Sequence, residues 1–186
     1  MSCPVCPKSE LNPVKLDSGL TVRLCKSCDG RWLPFDEHMR WVESGEAEKS
    51  IAGMTPATDP IDAAMEPPHK PRLCPRCGRF LTRHRISLDL PFTLDRCGVC
   101  AGVWFDSGEW KAVESRALLP RLNHLFNDAH QHRMAQEQRR RDYEARCKAI
   151  VGDEAYQRAI EIKKWLAGHP HAATIRAFLD ERELTP

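Results

Sequence analysis

The sequence predicts a small, metal-stabilised α+β fold: two short-hairpin units followed by an all-helical C-terminal region. Three observations carry this prediction. Cys-x-x-Cys pairs occur in two sets, Cys3/Cys6 with Cys25/Cys28 and Cys74/Cys77 with Cys97/Cys100. Alternating apolar and polar residues fill the interval inside each set. From Gly108 onward, apolar residues recur at helical spacing.

The cysteines dictate the rest. Two facing pairs of thiolates are the donor set of a tetrahedral Zn²⁺ site, with Zn–S near about 2.3 Å. The pairs are separated by 18 residues in the first set and 19 in the second, which is the spacing of a zinc ribbon. A unit of about 45 residues buries too little apolar surface to fold alone. Structural zinc contributes roughly 10–16 kcal/mol. Two structural Zn²⁺ per chain are therefore expected. A redox Cys-x-x-Cys sits singly at a helix start, unlike these facing pairs. Iron is the other candidate cation, because a Cys-Pro-x-Cys-Gly knuckle also suits it; a ferric tetrathiolate is red and the zinc form colourless. Four thiolates leave no open coordination position, so water activation, and with it an enzyme, is not expected.

Bulk properties agree with a soluble protein that has little core per residue. Of 186 residues, 29% are charged, and the mean hydropathy is −0.52. No apolar run approaches the length of a membrane span. With Cys3 and Cys6 at the start there is no room for a signal peptide, so a cytoplasmic location is expected. In a reducing compartment, nine cysteines point to metal or redox chemistry rather than disulfides. Residues 1–50 carry 7 basic and 8 acidic side chains, and residues 72–119 carry 8 and 5, so only the second unit is basic.

The two sets form an internal repeat. Cys3-Pro4-Val5-Cys6 matches Cys74-Pro75-Arg76-Cys77, the stretch from Cys25 to Leu33 matches Cys97 to Phe105, and Glu37 falls on Glu109. In the first copy, Val14, Leu16, Leu20, Val22 and Leu24 alternate about Asp17-Ser18-Gly19, which predicts a hairpin. Phe80–Ile86 and Phe92–Cys97 predict the second. Gly-x-Trp-(Leu/Phe) reads as a third strand in each copy, followed by a helix. Asp106 and Glu109 have capping-box spacing, with Ser107 a competing N-cap; in the first copy the helix is expected from about Asp36 to Gly45. Five prolines in 50–71 predict a flexible linker that leaves the ribbons independent. The expected organisation is ribbon 1 at 1–49, linker at 50–71, ribbon 2 at 72–119 and helices at 120–186. The helices are interrupted at Gly152 and at Gly168/Pro170, with a small hairpin or bundle over 143–183.

Both copies resemble the bacterial-type zinc finger named after transcription factor IIB. Its pattern is Cys-Pro-x-Cys, a hairpin, then Cys-x-x-Cys-x-Gly-x-Trp-(Leu/Phe)-Asp-x-Gly-Glu. The second copy matches at Cys74, Cys77, Cys97, Cys100, Gly102, Trp104, Asp106, Gly108 and Glu109. The first keeps Cys3, Cys6, Cys25, Cys28, Gly30, Trp32 and Glu37 but has Pro34 and Asp36 where the pattern has Asp and Gly. The resemblance covers about half of the chain and implies a zinc ribbon with a role related to transcription. Cleavage-stimulating ribbons of the transcription-elongation type carry adjacent Asp-Glu at the hairpin tip. Here the tips offer Asp17 and Asp89 alone, so that chemistry is not expected.

The candidate partner-binding residues are Trp32, Trp104, Arg83 and Arg85. An exposed indole stacks a base or anchors a protein; the alternative is that each packs its strand against the following helix and roofs the metal knuckle. Arg83 and Arg85, two apart on a strand, are suited to phosphate or are simply solvated. Arg139-Arg140-Arg141 is mostly offset by i,i+4 pairs such as Glu137 with Arg141. The scattered histidines and Cys147 offer no second site. The expected function is recognition: contact with nucleic acid or a nucleic-acid-associated protein through the ribbons. The alternative is a protein adaptor acting through its helical tail, and a third reading is a thiol redox sensor. No membrane and no small-molecule substrate are expected, and the oligomeric state is open.

Overall fold

The computed structural model describes residues 1–59 and 70–181. The chain divides into two units, residues 1–135 and 136–186.

In the first unit, β1 (Leu11–Lys15), β2 (Thr21–Cys25) and β3 (Arg31–Leu33) form ribbon 1, followed by α1 (Phe35–Glu43) and α2 (Glu46–Ile51). Ribbon 2 repeats this with β4 (Leu81–His84), β5 (Leu94–Cys97), β6 (Val103–Phe105) and α3 (Ser107–Ser115). The β1–β2 turn closes where Leu16 N–H donates to Leu20 O and Gly19 takes φ 82°, a value glycine adopts without a Cβ penalty. Strand β4 is shorter than expected: it ends at His84, and Arg85 lies beyond it.

The ribbons are not independent modules on a tether. All six strands form one antiparallel sheet in the order β1-β2-β3-β6-β5-β4, and β3 pairs directly with β6. The start of the expected linker is also engaged: α2 runs on through Ser50 and Ile51, and Ala57 N–H donates to Ser115 O at 2.9 Å. The rest of that linker, 60–69, lies outside the described residues.

Strand periodicity assigns the faces. Val22, Leu33, Leu94, Val103 and Phe105 point to the helices and pack with Trp110, Val113, Leu119, Leu122 and Phe126. The alternate positions Cys25, Trp32, Cys97 and Trp104 point to the opposite face. Fully burying one such side chain contributes about 1.5–3 kcal/mol. After α3 comes a 3₁₀ turn (Leu119–Arg121) with Pro120 at its start, then α4 (Leu122–Leu125). Two histidines tie these elements down: buried His38 Nε2 donates to Leu119 O at 2.8 Å, and His130 Nε2 lies 3.0 Å from Ile86 O. Burial lowers the His38 pKa, against the carbonyl bond, and so keeps the ring neutral.

The helix α5 (Asp128–Val151) has no buried residue, and α6 (Asp153–Ala167) and α7 (Ala172–Asp180) follow it. Gly152 interrupts the pattern as expected. The polar stretch carries Glu137 paired with Arg140 and Arg141. Of the expected hairpin or bundle, the structure has an α6–α7 hairpin, in which Leu166 is the single buried side chain among the described residues of 136–181. Among the described residues, no helix is long and apolar enough to cross a membrane.

Candidate metal centres

Cys3, Cys6, Cys25 and Cys28 converge in ribbon 1, and Cys74, Cys77, Cys97 and Cys100 in ribbon 2. Within each group all four sulfurs lie within 4.8 Å of one another. A tetrahedron with bonds of about 2.3 Å has S···S edges near about 3.8 Å. Cys3–Cys28 at 3.8 Å, Cys74–Cys100 at 3.5 Å and Cys77–Cys97 at 3.4 Å fit that size. Short hairpins hold the first pair of each set, through the bridges Ser2–Glu10 and Leu73–Phe80. Backbone amides point at the sulfurs: Cys6 N–H donates to Cys3 Sγ at 3.2 Å and Cys100 N–H to Cys97 Sγ at 3.5 Å. Burial pushes the Cys25 and Cys97 thiols up, but the backbone amides and the neighbouring cysteines that hydrogen-bond to them together bring each down to about 7.

Residues 2–44 and 73–116 match the model of the transcription factor zinc-finger family. The two ribbons are tandem members of that family. No curated protein and no solved structure matches the chain. Zinc-finger membership and the two all-thiolate clusters together make the cofactor two structural zinc ions.

The zinc-finger motif residues around the metals do more than expected. Trp32 and Trp104 are both 0% exposed and lie opposite each other in the β3–β6 pairing. Neither indole presents a face to solvent. Gly30 and Gly102 have ordinary φ, so they are required for space, not conformation. A Cβ on Gly30 would overlap the ring of Trp104, and a Cβ on Gly102 would overlap the ring of Trp32. Each indole therefore lies against the knuckle glycine of the other ribbon.

The second zinc finger also contains a buried ion network. Arg72 Nη1 donates to Asp95 Oδ2 at 3.1 Å, and Arg72 Nη2 to Asp106 Oδ2 at 2.8 Å. Trp104 Nε1 donates to Asp106 Oδ1 at 3.0 Å, and Asp106 N–H donates to Glu109 Oε2 at 2.9 Å, closing the capping box of α3. Arg83 Nε reaches Asp95 Oδ1 at 3.6 Å, so this candidate partner-binding cation faces the same network. Arg85 contributes its carbonyl, which accepts from Gln131 Nε2 at 3.0 Å. Arg76, outside the network, pairs with Asp36 of the other ribbon at 2.9 Å, an exposed contact of small energetic weight.

Ribbon 1 lacks this network. Its positions equivalent to Arg72, Asp95 and Asp106 hold Met1, Arg23 and Pro34. The buried Trp32 Nε1 consequently has no hydrogen-bond partner among the described residues. Pro34 (φ −63°, ψ 140°) has nearly the backbone of Asp106 (φ −71°, ψ 161°). Pro34→Asp is expected to stabilise the zinc-loaded chain by about 1 kcal/mol in chemical denaturation. It supplies an acceptor for Trp32 and a cap for α1, offset partly by the lost rigidity of proline.

Burial, with the Asp106 carboxylate adding to it, pushes Glu109 up to about 8, against the Asp106 amide and Arg72. The native state then holds a proton that the unfolded chain releases near 4.5, so this stability is present at low pH and lost as pH rises through about 8. Glu109→Gln keeps the acceptor and removes the titration. Relative to wild type, the variant should gain about 2 kcal/mol between pH 6.5 and 9, read by urea unfolding at both pH values.

Proposed function

We propose that the chain is a non-catalytic recognition protein in which the zinc-bound ribbons form a rigid platform and the helical C-terminal region binds a protein partner. One observation carries this reading. Ile162, Trp165, Phe178 and Leu179 on α6 and α7 are each more than half exposed, on a unit whose described residues bury Leu166 alone. Large apolar and aromatic side chains left in water on paired helices have the composition of a protein-binding hot spot. A partner with an apolar groove is the class that fits. Closed tetrathiolate sites support the absence of catalysis. A reducing, cytoplasmic location keeps the eight ligands as thiolates.

Nucleic-acid contact is the second reading. The description of the family as transcription factor zinc-finger favours it, as do the exposed Lys8, Lys26, Arg76 and Arg79 on the knuckles. Contact through Trp32, Trp104 and Arg83 finds less support, since the indoles are buried and the guanidinium faces Asp95.

Affinity purification of the full chain, with and without nuclease, separates the readings. A partner retained after nuclease and lost with Trp165→Glu/Phe178→Glu is the expected result. Recovery that disappears with nuclease, alongside salt-dependent binding of labelled oligonucleotide by the purified chain, would replace the first reading with the second.

A further inference from the structure

The β3–β6 seam has the symmetry of a two-fold interface. Trp32 faces its own repeat equivalent, Trp104; Arg31 faces Phe105, the equivalent of Leu33; and Leu33 faces Val103, the equivalent of Arg31. Around this axis the glycine–indole contacts are reciprocal: Gly30 with Trp104 and Gly102 with Trp32. These glycines stand two residues after the last ligand of each site, Cys28 and Cys100. Each also ties its knuckle, since Cys25 N–H donates to Gly30 O and Cys97 N–H to Gly102 O, both at 2.9 Å. The inner cysteines of both sites, Cys3, Cys25, Cys74 and Cys97, form a single apolar cluster with the two indoles and Leu11.

We propose that each metal site is closed in trans by the tryptophan of the other ribbon, so that the two ions bind as a linked pair. An indole lying on the partner knuckle excludes water from those thiolates and holds the glycine turn that presents the third and fourth ligands. The turn is in place only when both ribbons are folded, and each ribbon folds on its own ion. Binding at one site therefore prepares the other, which is a coupling free energy between two sites. Trp32 and Trp104 are positioning residues for ligands they do not share a ribbon with.

The test uses the full chain loaded with ¹¹³Cd²⁺, each resonance assigned through its ligand cysteine protons. Trp104→Phe is expected to shift the resonance of the Cys3/Cys6/Cys25/Cys28 site more than that of its own ribbon, and to accelerate metal loss from that site to a chelator several-fold. Trp32→Phe should do the reverse. A larger change at the variant's own ribbon, or equal changes at both, would overturn the trans assignment. Phenylalanine keeps the core filled, so both variants are expected to fold. The wild-type chain tests the linkage separately, by native mass spectrometry at one equivalent of Zn²⁺. Independent sites put about half of the chains or more in the one-zinc form. A linked pair leaves that form well below half, with metal-free and two-zinc chains dominating. A one-zinc population at or above half would overturn the linkage.

Discussion

Chelating the zinc should unfold the sheet of the first unit while leaving the helices of residues 136–181 largely formed. Each structural site contributes roughly 10–16 kcal/mol, as much as the whole stability of an ordinary domain. Otherwise only short backbone bridges hold its knuckles among the described residues. The inner cysteines are among its buried core residues, and removing the ion leaves four facing sulfurs with nothing bridging them. The second unit carries its own support in Glu137, which pairs with Arg140 and Arg141, and in the Arg140–Glu144 pair. Amide NMR should show residues 11–33 and 81–105 losing dispersion together, with helical circular dichroism retained and two zinc ions released per chain. An unaltered amide spectrum for the strands after complete metal removal would show that the ions are not what holds the fold.

Arg72→Ala is expected to be the most damaging change away from the cysteines, costing about 3–5 kcal/mol in denaturation of the zinc-loaded chain. Arg72 is 6% exposed and Asp95 5% exposed. Burial raises the Asp95 pKa, and Arg72 is the largest influence opposing that shift. Without the guanidinium, Asp95 keeps only Arg83 at 3.6 Å, and Asp106 loses its 2.8 Å partner. The cause is distinguishable from simple loss of packing. Arg72→Met combined with Asp95→Leu removes both charges together and should recover most of the loss. A double variant as unstable as Arg72→Ala would place the cost in packing.

The metal ligands were legible in the sequence because thiolate spacing is a local property. The hairpins, the third strands and the helix starts followed from alternation and from capping residues, which are also local. The joining of the ribbons was not legible, since strand pairing across 70 residues leaves no periodic trace. One signal did point to it: glycine two positions before each tryptophan, in a place where neither φ nor a turn demands glycine. Asp95 was a second, a buried carboxylate that pairs with Arg72 and lies on the same strand face as the ligand Cys97. The burial of Trp32 and Trp104 was anticipated as one of two alternatives, but they lie on the sheet face opposite the helices, not against the following helix, and each also meets the other copy's knuckle glycine. Of the hairpin or bundle expected over 143–183, the structure has the α6–α7 hairpin, because helical spacing fixes an apolar stripe without supplying further neighbours to bury it.

A join that is its own complement ends growth. The third strand of a lone ribbon has one bare side, the sort of surface on which further chains stack. Here the two bare sides satisfy each other, and a two-fold contact leaves nothing over for a third copy. At the outer margin of ribbon 1, Pro13 withholds an amide from any newcomer. The duplication thus closes into a finite pair, where a head-to-tail arrangement of the same ribbons would have left a sheet open to extension.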